Sequence, residues 1–360
     1  MRSTLVFTAL LSSLLVAGCG SDSDDGSSGD PTSSSSGTGG SGGGTTISCD
    51  GAPAELSLAG TWAAKGRLSV SFQGSPDGAV TLCPADQQGE ANLLLLLTVE
   101  QSGTELTAVD AALCDLQLPI VTAKVGECME GDQNLISTQL LAPPALLDSL
   151  PNVPADPATG SIDGTGVSVE GLKVTVGSSA SGAQMAAWKE GDAACEDVEL
   201  GSTNVCEETC VTDCSTLRDD DGDGYPGVTI HVCGYAPGEE QSACNPEDPS
   251  QTGVSVQGRG FLDIEVSPTL TGNAESSCEV RGNVATPIDY NLVGAEVYLG
   301  PGQISVSSAI KSLPTFQVDG SASSFRMVRI DGQYGAPDWA VDASAVGAAC
   351  KTIVSKQNEL

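Results

Sequence analysis

Leu68-Ser69-Val70-Ser71-Phe72-Gln73 alternates apolar and polar residues at every step. Successive side chains of a strand point to opposite faces, so this stretch reads as a strand with one buried and one wet face. Outward from it the same period recurs. Val80 and Leu82 continue the theme, and Leu116, Leu118 and Ile120 alternate again. So do Val167 and Val169, then Leu172, Val174 and Val176 after Gly171. Leu93 to Leu97, followed by Thr98 and Val99, is an unbroken apolar run, as expected of a strand covered on both faces. The C-terminal half carries Leu262, Ile264 and Val266, then Val297 and Leu299, then Ile304 and Val306, and lastly Phe325 to Ile330. The 44 glycines and 4% aromatics suit a large sheet with tight turns. Helical signals are few: Pro144 to Leu150 and Ala183 to Lys189 each suit about two turns.

These patterns predict an all-β fold, an antiparallel barrel or sandwich spanning 49–355. The cysteine-rich stretch near 195–250 reads as a disulfide-rich insertion, with strands on both flanks forming one sheet system. Two β domains with a seam in that stretch is the alternative.

The chain starts Met1-Arg2-Ser3, followed by an apolar run from Leu5 to Val16. That run is too short to cross a bilayer as a helix, and 1–18 reads as a secretory signal. Val16-Ala17-Gly18-Cys19 resembles the lipobox of bacterial lipoproteins. The resemblance implies that Cys19 is acylated, that its partner is the lipid bilayer, and that the protein lives in the cell envelope. Gly20, standing where an Asp would signal retention in the inner membrane, implies the outer membrane. Residues 19–48 are almost wholly Gly, Ser, Thr and Asp and read as a disordered tether. A coil of this kind has a root-mean-square span of about 30 Å.

Acids outnumber bases 47 to 14, for a formal net charge of -33. Counterion release cannot draw such a surface onto nucleic acid, and a polybasic membrane contact is excluded as well. The thirteen cysteines are an odd number for an oxidising compartment. Assigning Cys19 to lipid leaves Cys49, Cys83, Cys114, Cys128, Cys195, Cys206, Cys210, Cys214, Cys233, Cys244, Cys278 and Cys350, enough for six disulfides. Cys114 with Cys128 and Cys278 with Cys350 are the expected bridges among them. His231 is the single histidine, so a zinc site in the cysteine-rich stretch is disfavoured.

The sharpest chemical signal is Asp219-Asp220-Asp221-Gly222-Asp223-Gly224-Tyr225. Calcium takes six to eight oxygens, and carboxylates at alternate positions of a tight loop converge on one point. Asp219, Asp221 and Asp223 stand at positions 1, 3 and 5, Gly224 supplies the sharp turn, and the Tyr225 carbonyl is the position-7 ligand. The spacing resembles the calcium loops of EF-hands, dockerins and thrombospondin type 3 repeats. It departs from the EF-hand at position 12, which is Ile230, and in leading into a strand where Val228, Ile230 and Val232 alternate with Thr229, His231 and Cys233. A further ligand is expected from Asp213, Glu207, Glu208 or water. The expected cofactor is a structural Ca2+.

Gly60-Thr61-Trp62 resembles the Gly-x-Trp opening strand of lipocalins. That resemblance implies an eight-stranded barrel whose base is plugged by Trp62 beneath an arginine of the last strand, Arg326 or Arg329, with Arg326 taken as the closing partner. Ala63 departs from the bulky residue usual at that place.

No Gly-x-Ser-x-Gly elbow between a strand and a helix, phosphate loop or His-Glu-x-x-His helix is present. His231 is expected on an outward strand face, solvated. Trp188, Tyr334 and Trp339 suit core packing more than a sugar platform. The expectation is a non-catalytic protein binding a small molecule, glycan or protein partner on a calcium- and disulfide-stabilised β scaffold. A structural or adhesive role, and a carboxylate-dependent hydrolase, are the alternatives. A hollow barrel favours small-ligand binding, and a filled one favours a surface partner.

Overall fold

The computed structural model describes residue 49 and residues 55–153, 155–201, 204–207, 209–244 and 253–360. The signal, Cys19 and the tether lie outside the described residues. In chain order the strands of the first half are β1 (Gly60–Gln73), β2 (Val80–Leu82), β3 (Asp86–Ser102), β4 (Glu105–Gln117), β5 (Val121–Val125), β6 (Ile136–Leu141), β7 (Ala155–Asp156), β8 (Ala158–Asp163), β9 (Gly166–Glu170) and β10 (Lys173–Val176). The second half adds β11 (Val228–Tyr235), β12 (Val256–Val266), β13 (Thr269–Ser276), β14 (Glu279–Ala285), β15 (Ile288–Leu299), β16 (Gly302–Ile304) and β17 (Thr315–Arg329). Three short helices, α1 (Pro144–Ser149), α2 (Val306–Ser312) and α3 (Val346–Ser355), complete the regular structure.

Eight strands close into an antiparallel barrel in the order β1-β3-β4-β8-β9-β13-β14-β17, with β17 returning to β1. Chain order is kept all the way round, so this is an up-and-down barrel. Its connections alternate between two kinds. Gly103-Thr104, Gly164-Thr165 and Ser277-Cys278 join strands by two residues each at one rim. Gly103 and Gly164 sit at φ 62° and 60°, the left-handed geometry that a tight hairpin matched to strand twist requires. At the opposite rim the connections span 74–85, 118–157, 171–268 and 286–314.

Those four long excursions supply every strand of a second antiparallel sheet, ordered β16-β15-β12-β11-β6-β5-β2, with β10 on β12 and β7 on β10. The second sheet therefore caps the rim from which its strands depart. Phe72, at the end of β1, packs into the apolar clusters of both the barrel and the cap. Tyr290 stacks on Phe316 of β17 at 4.9 Å. Strands of both the barrel and the cap come from both sides of 195–250.

The inner face of the barrel explains the period-two pattern. Trp62, Ala64, Leu68 and Val70 join Leu97, Val99, Leu106, Val169, Leu270, Val280, Phe325 and Met327 in one buried cluster. Each large aliphatic in it contributes roughly 1.5–3 kcal/mol of transfer free energy. Side chains fill the interior, as an eight-stranded barrel allows. The run 93–97 is covered on both sides, as expected. Leu93, Leu95 and Leu97 face the barrel interior, while Leu94 and Leu96 pack outside with Trp339, Ala349 and Ile353 of the C-terminal segment.

Several local expectations are corrected. The 183–189 segment forms only a 3₁₀ turn at Gly182–Gln184. β4 ends at Gln117, so the alternation through Leu118 and Ile120 does not continue as strand. Val306 begins α2, capped by the Ser305 side chain accepting from the Ser308 N–H, and does not extend β16. Helix α3 was not anticipated, although its buried Ala349, Cys350 and Ile353 have helical spacing. The twelve described cysteines form six disulfides, but both expected pairings are wrong. Cys114 lies on the outer wall beneath α3 and joins Cys350, Cys128 joins Cys83 in the cap, and Cys278 in the β13–β14 hairpin joins Cys49. The cysteine-rich stretch is stapled locally by Cys195–Cys210, Cys206–Cys214 and Cys233–Cys244.

Candidate cation site and outer-wall cleft

The acidic loop precedes β11 and folds back so that Asp219 bridges Gly227. Gly222 and Gly224 take φ 70° and 90°, turning the chain where a side chain would be strained. Carboxylate oxygens of Asp219, Asp221 and Asp223 lie within 4.8 Å of one another. Asp219 accepts from the Asp223 and Gly224 N–H groups at 3.1 and 3.0 Å. Asp223 accepts from the Tyr225 N–H at 2.8 Å and from the Thr229 hydroxyl. Asp220 points away, anchoring the loop through the Gly177 N–H at 2.7 Å and Arg218 at 2.9 Å.

Asp221 is the informative member. Its residue is only 8% exposed, one oxygen accepts from the Thr229 N–H at 2.8 Å, and the other has no hydrogen-bond partner. Burial is the main cause that lifts it to about 6, the Thr229 N–H opposes, and the Asp223 and Asp219 carboxylates raise it further. Three carboxylates so close repel unless a cation lies between them. Oxygen donors at this spacing fit a hard divalent ion, with calcium favoured by flexible coordination number. Of the further ligands considered, Asp213 instead caps a 3₁₀ turn by accepting from Ser215, and neither it nor Glu207 joins the cluster. Glu208 lies outside the described residues.

Tyr225 ties the loop to the cap sheet. Its ring stacks on Phe261 at 4.8 Å, the Arg259 guanidinium lies 4.6 Å above it, and its hydroxyl meets Arg259 at 3.1 Å. Arg259 in turn pairs with the buried Glu296 at 2.8 Å. His231 is buried, 8% exposed, where an outward, solvated position was expected, because β11 lies inside the sheet between β12 and β6 and both of its faces are covered. Asp263 of β12 is fully buried, with the Asn291 side chain and N–H and the Ala186 N–H close by but no hydrogen bond of good geometry to either carboxylate oxygen. Burial pushes it up to about 6, partly offset by Asn291 and the Ala186 N–H.

At the barrel base the structure corrects the closing pair. Arg329, not Arg326, covers Trp62, with its guanidinium 4.8 Å from the ring centre. Strand parity decides this. Phe325, Met327 and Arg329 point one way, while Arg326 and Val328 point outward. Arg329 is fully buried and donates to the carbonyls of Ser277, Ala59 and Ser57 at 2.7, 2.7 and 2.8 Å. Burial lowers its pKa, and Asp331, 3.1 Å away, opposes that shift. Arg326 lies on the outer wall, paired with the buried Glu279 at 2.7 Å. Trp188 and Trp339 are core residues, and Tyr334 lies against Arg329, so the three form no platform.

The outer wall of β1, β3 and β4 carries a cleft of about 230 Å³ beside the C-terminal segment. It holds Glu90 and Asp115, but both sit on the solvent-facing wall, without the apolar enclosure that a glycosidase acid needs.

No family model matches the chain, and no curated protein and no solved structure is similar to it. Geometry alone defines the class: a closed eight-stranded up-and-down β barrel, capped by a second antiparallel sheet grown from one rim and cross-linked by six disulfides.

Proposed function

We infer that this chain is a lipid-anchored, non-catalytic protein of the cell envelope, carried on acylated Cys19 at the outer membrane. Its barrel presents a cap stabilised by disulfides and one structural calcium ion, and it binds its partner on an external surface. The filled barrel supports an external site over an internal calyx. One observation carries the calcium assignment: the buried Asp221 oxygen without a partner, set among the carboxylates of Asp219 and Asp223. The Tyr225 carbonyl follows in the loop as the expected backbone ligand. Extracellular modules of this kind bind calcium with dissociation constants of about 10⁻⁴–10⁻³ M, so the ion is a permanent staple and not a signal.

Calorimetry on the purified domain is expected to give one calcium ion per chain, and chelation to lower its unfolding midpoint. Asp221→Asn should remove both effects. A flat titration, or a variant that binds as well as wild type, overturns the calcium assignment. Metabolic labelling with palmitate, lost in Cys19→Ala, tests the anchor separately.

A further inference from the structure

The excursion between β10 and β11 lies on β12 and β15 as a cover, and both of its ends meet at the acidic loop. It runs through 178–217, of which 178–201, 204–207 and 209–217 are described. The Trp188 N–H donates to the Leu292 carbonyl at 3.2 Å, and the Gly182 N–H donates to Glu265 of β12 at 3.1 Å. The Val306 N–H of α2 donates to the Val198 carbonyl at 2.8 Å. Ala186, Trp188, Leu200, Val205 and Val211 share one apolar cluster with Phe261, Val293 and Val306. Both disulfides of the cover, Cys195–Cys210 and Cys206–Cys214, close within it. They remove freedom from the cover itself and leave its hold on the sheet to weaker contacts.

The neck is where the cover is fastened. Ser178 bridges Leu217, and the Ser179 N–H donates to the Thr216 carbonyl at 2.7 Å. The Arg218 N–H donates to the Gly177 carbonyl at 2.9 Å. Asp220 completes the ring, accepting from the Gly177 N–H at 2.7 Å and from the Arg218 guanidinium at 2.9 Å. That guanidinium also donates to the Thr175 carbonyl at 2.7 Å. Gly177, at φ 77°, passes so close to the sheet that a Cβ there would lie 2.5 Å from the Leu262 carbonyl oxygen. Asp220 stands between Asp219 and Asp221, two of the three clustered carboxylates. The backbone that aims Asp220 at the neck is therefore the backbone that gathers the cation ligands.

The seam under the cover is imperfectly satisfied. Trp188 Nε1 is buried without a hydrogen-bond partner, and Asp263, beside the Ala186 N–H, has no hydrogen bond of good geometry. Such groups weaken a closed interface, so the cover is the part of the cap that opens at least cost. Without a cation, repulsion among Asp219, Asp221 and Asp223 acts on the same loop that closes the neck.

We propose that calcium at Asp219, Asp221 and Asp223 is the clasp of this cover. The bound ion holds Asp220 on the neck and keeps 178–217 closed on β12 and β15. Loss of the ion releases the cover as a unit while the barrel stays folded. This deepens the calcium reading and rests on it.

The test is residue-resolved hydrogen exchange of the full exported chain with disulfides intact, in calcium and in chelator, with calorimetry on the same preparation. An ion at ten times its dissociation constant suppresses an opening that destroys its site about tenfold. Chelation is therefore expected to speed exchange about tenfold, in step, at the amides that cross the seam and neck: Gly177, Ser179, Gly182, Trp188, Arg218 and Val306. Amides of β1, β3 and β13 should not change, and restored calcium should reverse the effect. Asp220→Asn, outside the ligand set, should speed the same amides by roughly threefold or more while one ion still binds. Faster exchange confined to 219–227, or equal through the barrel strands, overturns the clasp and leaves the calcium assignment standing. So does an unchanged seam in Asp220→Asn with calcium bound. A flat calorimetric titration overturns both. The chelation arm uses the wild-type chain and decides the question if the variant fails to fold.

Discussion

Asp263→Asn should stabilise this protein near neutral pH and have no such effect in acid. The side chain is fully buried on β12 with no hydrogen bond of good geometry to either oxygen, Asn291 and the Ala186 N–H giving only partial compensation, and it is pushed up to about 6 from an ordinary 3.8. As pH rises from about 4 to about 6, the unfolded chain gives up this proton first, so the folded state loses stability over that window. Below about pH 4 the cost is absent, and above about pH 6 it is complete. A shift of this size corresponds to at most about 3 kcal/mol. That is a large share of a typical folding free energy of about 5–15 kcal/mol. Asparagine keeps the shape, removes the buried charge and meets the same Asn291 side chain, so a gain of about 1–3 kcal/mol is expected near pH 7.5. The assay is guanidinium unfolding of both proteins with disulfides intact, near pH 4 and near pH 7.5. Taking the difference between the two proteins cancels the other carboxylates, among them Asp132, Asp319 and Asp342, whose lowered pKa values act in the opposite direction. A variant less stable than wild type near pH 7.5, or a gain equal at both pH values, refutes the reasoning.

Arg329→Met should cost about 3–5 kcal/mol in the same unfolding assay, because it strands three carbonyls and Asp331 and removes the cation from the face of Trp62. A loss below about 1 kcal/mol would mean that the barrel base relaxes around the gap. Replacing Cys114 and Cys350 together by alanine should cost about 2–5 kcal/mol and raise amide exchange first in Val346–Ser355, the helix that this bridge holds to the wall. Uniform exchange across barrel and helix would deny the bridge that local role.

Residues 68–73 were readable because a strand buried on one face writes its environment into every second position. The same logic carried 93–97, where burial on both faces removes the alternation. At the barrel base the pattern is ambiguous. Phe325 and Met327 face the interior and Arg329 with them, whereas the apolar pair Val328 and Ile330 lies on the outer face with Arg326; both faces of this strand are covered, so apolarity alone does not say which arginine points inward. Helix α3 was available in the spacing of Ala349, Cys350 and Ile353. Other features leave no local trace. That β4 meets β8 across forty intervening residues, or that Cys114 finds Cys350 across 236, depends on where the barrel closes. The acidic loop was legible because its pattern is local, with the three clustered carboxylates and two turn glycines inside six residues. The cleft was not, because its charges come from three strands and become neighbours only through sheet register.

The placement of the disulfides follows from the alternation of short and long connections. The barrel has tight hairpins at one rim and a continuous apolar interior, and burial is sufficient to hold it. Its two bridges, Cys49–Cys278 and Cys114–Cys350, span 229 and 236 residues and fasten the ends of the chain to its base and wall. The cap is assembled from four separate excursions, each returning to the barrel, and divides its apolar residues among several smaller clusters. Its bridges span 45, 15, 8 and 11 residues, so each removes freedom from one local loop, worth about 3 kcal/mol for a loop of about fifteen residues. The acidic loop lies between the Cys206–Cys214 and Cys233–Cys244 staples, in the part of the chain with the fewest regular strands. A cation bound there would do for 219–227 what a disulfide does for its neighbours, and Tyr225 would pass that constraint to Phe261, Arg259 and Glu296 in the middle of the cap sheet.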